Sequence, residues 1–248
     1  MNINISVVIP IYNEEGNIVP LIEELLPIVD KIGGGEIIIV NDNSNDSSKD
    51  LVLNNKGSNK TKIKLLSHTV QSGQSAGLLT GIKFASNNLI VTLDGDGQND
   101  PKDILSMLEV WKASEKDKEL LVIGHRVNRK DTWSRRYASL LALKVRKFIL
   151  KDSTPDSGCG IKIFSRNLFL SLPYFDHIHR FLPALTRRQG GTVISHPVSH
   201  RNRLSGVSKY SNLQRFKVGV VDLFGVSWLI RRSSFPIKFN VSKKNNRE

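Results

Sequence analysis

The feature that most restricts the fold is a repeated pairing of short β-branched runs with longer stretches of helical periodicity. The run from Ile5 to Pro10, then Glu36–Val40, Lys62–Leu66 and Asn88–Leu93, have the length and composition of buried strands. Between the first two, Ile18, Leu21, Ile22, Leu25 and Leu26 recur on one face of a helix entered through Asn13–Asn17, and Gly33–Gly35 supplies the turn out. Ala76–Ser86 reads as a further helix. Such alternation predicts an α/β fold with a mostly parallel sheet covered by helices on both faces. Sheets of this class bind ligands beyond the carboxyl ends of their strands. Asp42, Gln74 and Asp94 all fall just past predicted strand ends, so one site can collect them.

The stretch with most chemical content is Val91-Thr-Leu-Asp-Gly-Asp-Gly-Gln-Asn-Asp-Pro101. Its strand stops at Asp94, and Pro101 stands where a helix is expected to begin. Asp94, Asp96 and Gln98 leave the strand end at alternate positions, on one side. Oxygen ligands of this kind suit Mg²⁺ or Mn²⁺, which accept one or two carboxylates and keep positions open for substrate phosphates. The plainer alternative is an acidic turn punctuated by Asp-Gly.

The other loops have plain readings too. Asn41–Ser48 can be Asx turns and a helix cap, and Glu14 and Glu15 can be first-turn residues that favour the helix dipole. Ser72–Gly77 is glycine-rich but lacks both the Walker ending and a GxGxxG pattern. His196 and His200 are separated by a helix-breaking Pro197, and His177 and His179 read as packing or capping residues, so zinc is not expected. Cys159, between glycines, reads as a small residue in a tight loop.

Charge narrows the partners. The 248 residues carry a formal charge of +13, which predicts an anionic partner: nucleic acid, a phosphorylated substrate or an acidic membrane surface. With 7% aromatic residues there is little base-stacking surface, and nucleic acid is not an expected partner. A single cysteine excludes an internal disulfide and fits a reducing compartment. The first residues pass almost directly into a strand with no secretory pattern, so a cytoplasmic location is expected.

The order of motifs then points to a family. Val8-Ile-Pro-Ile-Tyr-Asn-Glu14, Val40-Asn-Asp-Asn-Ser44 and Leu93-Asp-Gly-Asp-Gly-Gln98 resemble the nucleotide-sugar domain of family 2 glycosyltransferases. Gly124–Asp131, Asp156-Ser-Gly-Cys-Gly160, His179-Arg-Phe-Leu-Pro183 and Arg203–Tyr210 resemble its polyprenyl-phosphate subgroup, which includes dolichol-phosphate mannosyltransferase and bacterial undecaprenyl-phosphate sugar transferases. The resemblance runs from about Ile5 to Arg232. Asn41 departs from it, standing where the family often has a first aspartate. The resemblance implies a glycosyltransferase A-type fold and a metal, Mg²⁺ or Mn²⁺, at Asp94, Asp96 and Gln98, holding the donor diphosphate. It implies Pro10, Tyr12, Glu14 and Asp42 around the base and ribose of a UDP- or GDP-sugar. It places Arg126, Arg135 and Ser139 at the lipid phosphate, and Arg203 and Lys209 in a loop closing over the donor phosphates. Asp96, Arg126 and Asp156, the last near the reacting centre, are the residues it implies for catalysis.

The residues can be weighed separately from the family. Arg135 and Ser139 are four apart in a helix predicted over Ser134–Leu150, so both face one way and suit a phosphate monoester. The competing reading is a solvated basic helix, since Arg136, Lys144, Arg146 and Lys147 lie there too. An acceptor phosphate with a second pKa of about 6 is mostly dianionic and needs little help from a base. A single displacement at the anomeric carbon then inverts configuration.

Near the C-terminus, Val218–Ile230 is apolar except for Asp222 and Ser227, with cations on both flanks. At ~1.5 Å per residue it reaches roughly 20 Å, short of the ~30 Å bilayer core. Trp228 and the flanking cations favour an interfacial helix over a core helix or a partner-docking helix. The expected organisation is a glycosyltransferase domain over 1–210, an amphipathic or interfacial extension over 211–235 and a disordered basic tail over 236–248. The expected protein is peripheral on the cytoplasmic face of the cell membrane, where a membrane partner protein or homo-oligomer is compatible with such a surface. The expected reaction moves a sugar from its nucleotide to a polyprenyl phosphate, for cell-envelope glycan or lipid A modification. The alternatives are a family 2 enzyme with another acceptor and a non-enzymatic basic membrane-binding protein.

Overall fold

The computed structural model describes residues 3–114, 119–127, 143–201 and 212–232, the last segment in backbone alone up to 218. In chain order it contains β1 (Ile5–Ile11), α1 (Ile18–Ile32), β2 (Gly35–Asn41), α2 (Ser48–Leu53), β3 (Thr61–Ser67), α3 (Gln74–Phe84), β4 (Leu89–Thr92) and α4 (Asp103–Ala113). β5 (Leu120–Arg126), helical residues 143–150 (α5), β6 (Lys162–Ser165), α6 (Arg166–Ser171), a 3₁₀ turn (Ile178–Arg180), α7 (Leu182–Arg188), β7 (Thr192–Val198) and α8 (Asn212–Arg231) follow.

The strands form one sheet in the order β3-β2-β1-β4-β6-β5-β7. β1 is parallel to β2 and β4, and β2 to β3. Every residue of β1 is buried, which is why it is apolar without alternation except at Ser6, whose hydroxyl donates to the buried Glu36 carboxylate. Val7, Ile9, Ile37 and Ile39 face one core with Ile18, Ile22 and Leu25 of α1 and Ile104 and Met107 of α4. Val8, Ile38 and Val40 face a second core with Leu78 and Ile82 of α3, Phe169 of α6 and Leu185 of α7. Each fully buried aliphatic side chain contributes about 1.5–3 kcal/mol. α3 lies close against β1 because Gly77 and Gly81 face it: a Cβ at Gly77 would sit 2.9 Å from the Pro10 Cβ.

β6 runs opposite to both neighbours, pairing antiparallel with β4 and β5, while β5 and β7 are parallel. Its reversal has a direct consequence for position. The residues that precede β6 arrive at the same sheet edge as the residues that follow β4 and β5. Lys162, first in β6, registers with Thr92, last in β4.

Three expectations about helices change. The helix after the acidic stretch begins at Asp103 rather than at Pro101, because Asp100 turns the chain first: its side chain accepts the Lys102 N–H (2.9 Å) and its carbonyl the Asp103 N–H (3.1 Å). Glu14 and Glu15 precede α1 instead of lying in its first turn, and the Glu14 carbonyl accepts the N–H groups of Asn17 and Ile18. α8 begins at Asn212, not Val218, and does not present one environment all round. Val226 and Ser227 are buried on the second core, whereas Val221, Phe224 and Trp228 are 70%, 64% and 62% exposed.

A buried ionic cluster ties the second half together. Asp152, fully buried, accepts from Arg146 Nε of α5 (2.7 Å), from Arg187 of α7, and from Thr154 N–H (3.0 Å) and Oγ1 (2.6 Å). Arg146 also donates to the Arg180 carbonyl (3.0 Å) and lies 5.1 Å from the Phe181 ring centroid. The basic face of the predicted 134–150 helix is therefore not simply solvated; at Arg146 it is spent on structure. Burial would raise the Asp152 carboxyl, but Arg146 and the Thr154 donors outweigh it and hold it below 3.8. Asp152→Asn should lower unfolding stability in urea by about 3–5 kcal/mol at neutral pH. Because the folded value is depressed, the carboxylate contributes fully above the unfolded value near 3.8 and less as pH falls through the folded one. The two proteins should therefore converge in stability on acidification below about pH 4.

Candidate active site

The carboxyl ends of β1, β2 and β4 open on one edge of the sheet. After β1 the chain passes through Tyr12, Asn13 and Glu14, and after β2 through Asn41–Ser48. These two loops are laced together. Asn13 N–H donates to Ser44 Oγ (2.9 Å), Asn45 N–H to Asn13 Oδ1 (3.0 Å) and Glu14 N–H to Ser48 Oγ (2.8 Å). The Asx turn of this loop is at Asp46, which accepts the Ser48 N–H (3.0 Å), while Asn41 accepts the Ser44 N–H three residues on (3.1 Å). The Glu14 carboxylate accepts from Asn17 Nδ2 (2.7 Å), and Pro10 lies buried within β1.

Asp42 has a different task. It is buried and accepts the N–H groups of Ser72 and Gly73 (both 2.8 Å), with His68 Nδ1 at 2.7 Å. His68 is fixed through Nε2 to Thr80 Oγ1 (2.9 Å). The first two amides of the glycine-rich 72–77 segment are thus directed at a carboxylate of the protein itself, not at a phosphate. That turn starts α3 and aims Gln74, whose Nε2 donates to Asp94 Oδ1 (2.8 Å). Asp42, Gln74 and Asp94 are therefore linked, as their positions past strand ends suggest.

Burial alternates through the acidic stretch: Gly95, Gly97 and Asn99 are buried, while Asp94, Asp96 and Gln98 are partly exposed. Asp96 Oδ1 accepts the Gln98 N–H (3.1 Å). Burial first, and the Asp96 charge second, push the Asp94 carboxyl up to about 6 against Lys162, Arg126 and Gln74. Two carboxylates that strain each other in this way fit a divalent cation, which relieves the repulsion. Among the described residues no group of three or more His, Cys, Asp or Glu encloses an ion by itself. That donor set agrees with Mg²⁺ or Mn²⁺ chemistry, in which substrate oxygens complete the shell.

The opposite wall comes from β6 and the residues before it. Thr92 Oγ1 donates to the Gly160 carbonyl (2.7 Å), and a Cβ on Gly160 would overlap the Asp94 carboxylate. Only glycine allows that approach. Lys162, 3% exposed, donates through Nζ to the Cys159 carbonyl. Burial pushes the Cys159 thiol up, in keeping with a small unreactive residue. At the end of β5, Arg126 grips Asp156 through Nε (2.6 Å) and Nη2 (2.8 Å). Burial opposes the Arg126 charge, but Asp156 outweighs it and holds the guanidinium above its ordinary value. Asp156 therefore positions Arg126. His179, also buried, bonds through Nδ1 to Ser75 Oγ (2.8 Å), and burial pushes it well below 6.5, so the ring is neutral.

Together Gln74, Asp94, Gly160, Lys162, His179 and Arg180 line a cleft of about 170 Å³ with Leu78, Leu93 and Leu182 as apolar walls. Tyr12, Glu14 and Asp42 lie beside this cleft along the sheet edge rather than in its lining. Arg135, Ser139, Arg203 and Lys209 lie outside the described residues. The approach to the Arg203 segment is nevertheless fixed. Asn99 bridges His200, Arg201 N–H donates to the Gln98 carbonyl (2.9 Å), and Arg201 pairs with Glu24 and Asp100 (each 2.6 Å). Sequence reasoning missed Lys162. The available signal was a lysine inside the apolar run Ile161–Phe164, in a strand that had not been assigned.

Comparison with known proteins gives the family and the fold. The family model "Glycosyl transferase family 2" matches residues 6–173. A dodecaprenyl-phosphate galacturonate synthase from Rhizobium johnstonii is 33% identical over 96% of this chain and 70% of its own length. An undecaprenyl-phosphate 4-deoxy-4-formamido-L-arabinose transferase from Pectobacterium atrosepticum is 33% identical over 85% of this chain. This chain spans 64% of that relative. Among solved structures, glucosyl-3-phosphoglycerate synthase from Mycobacterium tuberculosis with Mn²⁺, UDP-glucose and phosphoglyceric acid has a TM-score of 0.63 at 19% identity, covering 92% of this chain and 79% of that one. Mannosyl-3-phosphoglycerate synthase from Rubrobacter xylanophilus has a TM-score of 0.68 at 13% identity, covering 97% and 79%. At these identities the likeness is one of fold.

The close approach at residue 160 has a measurable consequence. Gly160→Ala should displace the Asp94 carboxylate and weaken Mn²⁺ binding, followed by electron paramagnetic resonance, by about tenfold or more. An unchanged Mn²⁺ affinity in a folded Gly160→Ala protein would remove Asp94 from the cation site.

Proposed function

From the premise that this chain belongs to glycosyl transferase family 2, we propose that it transfers a sugar from a nucleotide-sugar donor to a polyprenyl phosphate. The observation that carries this reading is that Asp94, in the cleft wall, lies in the fields of both Asp96 and the oriented Arg126, in a chain whose relatives are named for polyprenyl phosphates. A basic membrane-binding protein without activity would have no use for two mutually straining carboxylates at the wall of a cleft.

Residues of this chain divide the work between two anionic substrates. Pro10, Tyr12, Glu14 and Asp42 flank the donor side, and Asp42 acts at one remove by holding the turn that aims Gln74 at Asp94. A divalent cation held by Asp94, Asp96 and Gln98 would offset the charge of the departing nucleoside diphosphate. On the acceptor side, Asp156 takes Nε and Nη2 of Arg126 and fixes the plane of the guanidinium, so its remaining donors meet a phosphate without reorganisation. Arg135 and Ser139 would complete that site, and Arg203 and Lys209 would close over the donor. The acceptor phosphate is itself the nucleophile, so no covalent intermediate is needed and the anomeric configuration inverts.

A lipid acceptor also has to be met at a membrane. No helix among the described residues is long and apolar enough to cross one. The outward side of α8 carries Val221, Phe224 and Trp228, and Phe148 of α5 is 87% exposed. With Arg231 and Arg232 exposed at the helix end, this surface suits the cytoplasmic face of an anionic bilayer.

Transfer of radiolabel from a panel of UDP- and GDP-sugars into undecaprenyl phosphate tests the reaction. Label should enter the lipid with Mn²⁺ or Mg²⁺, vanish with chelator, and fall by at least about a hundredfold in Asp96→Ala and Arg126→Ala. Donor hydrolysis without lipid label would point to another acceptor, and a retained anomeric configuration would exclude single displacement. For the surface, Phe224→Glu with Trp228→Glu should reduce sedimentation with phosphatidylglycerol vesicles by about tenfold or more, leaving thermal unfolding within a few degrees of the parent. Unchanged sedimentation would remove α8 from the membrane contact.

A further inference from the structure

The relatives that bear on the reaction transfer chemically different sugars, a galacturonate and a formamido-arabinose, at the same 33% identity. What selects the sugar in this chain has to be sought in its own cleft. Lys162, His179 and Arg180 line the cleft without a part in the reaction as described, and Lys162 is the most deeply buried of the three. It is almost fully buried, yet among the described residues its Nζ donates only to the Cys159 carbonyl. An amino group brings up to three donors, and leaving them unmet in a buried place is costly. Across the cleft, His179 spends Nδ1 on Ser75 and makes no second hydrogen bond among the described residues.

We propose that Lys162 and His179 are specificity-determining residues that hydrogen-bond the oxygen substituents of the transferred sugar in the cleft between β6 and the 3₁₀ turn. The assignment rests on the transferase reading above. Three features favour a sugar ring over a phosphate. The cleft, at about 170 Å³, is smaller than the roughly 300–1,000 Å³ of pockets that hold drug-sized ligands, and suits one ring rather than a nucleotide. Its walls alternate Leu78, Leu93 and Leu182 with polar groups, which matches the mixed C–H and hydroxyl surface of a pyranose. The Asp94 carboxylate also lines it and, without a cation, repels a phosphate, His179 is neutral, and Lys162 lies in the field of Asp94 and Asp156, which leaves Arg180 as the remaining cation of the lining.

Calorimetric titration in the presence of Mn²⁺ separates the sugar contribution from that of the nucleotide. The parent protein should bind its nucleotide sugar more tightly than the bare nucleoside diphosphate. Lys162→Met should reduce that difference by about tenfold while affinity for the bare diphosphate stays within about twofold. Lys162→Gln, which keeps N–H donors without the charge, should recover part of it. His179→Phe should act in the same direction and serves if Lys162→Met fails to fold. An unchanged sugar contribution in both Lys162→Met and His179→Phe overturns the assignment and leaves the transferase reading intact. Equal losses for sugar-bearing and bare nucleotide also overturn it, since Lys162 would then be a phosphate ligand. If the parent binds neither ligand, the transferase reading falls, and the assignment with it.

Discussion

The site depends on one close approach, that of the Asp94 carboxylate to the backbone at Gly160. Two carboxylate oxygens occupy the volume that any other side chain at 160 would need. The approach arises because β6 is reversed between β4 and β5, which brings its leading loop to the edge where the other strands end. Thr92 pins that loop through the Gly160 carbonyl. Asp94 is thereby enclosed on the protein side while still facing the cleft, and the fields of Asp96, Lys162 and Arg126 act on it more strongly than in bulk water.

Two aspartates show how environment assigns their tasks. Asp152 is surrounded by Arg146, Arg187 and Thr154 and is held below its ordinary value; its charge is satisfied by the fold. Asp94 is raised to about 6 by burial and by a like-charged neighbour, although two cations oppose the shift. The first environment stabilises a carboxylate already paired. The second leaves charge for something that arrives from outside, which is the condition a cation or substrate site must meet. Asp156 belongs to the first class, since its charge is consumed in aligning Arg126.

The first half of this architecture was legible in the sequence because the buried parallel strands β1, β2 and β4 leave clear apolar runs, and these and the partly exposed edge strand β3 lie within two residues of where the pattern put them. The alternation of Asp94, Asp96 and Gln98 is present as an alternation of exposure, although it arises in the turn through Gly95 and Gly97 and not in the strand from which it was read. The second half was less legible. β6 spans four residues, and a lysine interrupts its apolar pattern, because that lysine is a cleft residue as well as a strand residue. The Arg126–Asp156 pair joins positions thirty residues apart, and no local pattern announces such a contact. The plain alternative for Glu14 and Glu15, a place in the first helical turn, fails because acidic residues before a helix satisfy either the dipole or the preceding turn, and here the Ser44–Ser48 loop holds them before α1.

α8 is the remaining element whose sequence was ambiguous, and its packing explains the ambiguity. A helix apolar on most sides has to find two covers. The domain supplies one, at Val226 and Ser227, and leaves Phe224 and Trp228 outside. The two sides are not mechanically independent of the cleft. His177, in a left-handed conformation at φ 65°, lies 3.2 Å from Asp222 of α8, and two residues later the same turn places His179 in the cleft wall. Arg188 of α7 donates to the Leu229 carbonyl from the other side (3.4 Å). A bilayer covering the outer face of α8 would thus hold a helix already joined to the cleft wall. An acceptor whose phosphate has to reach Arg126 beside the cleft while its chain stays in lipid would use that connection.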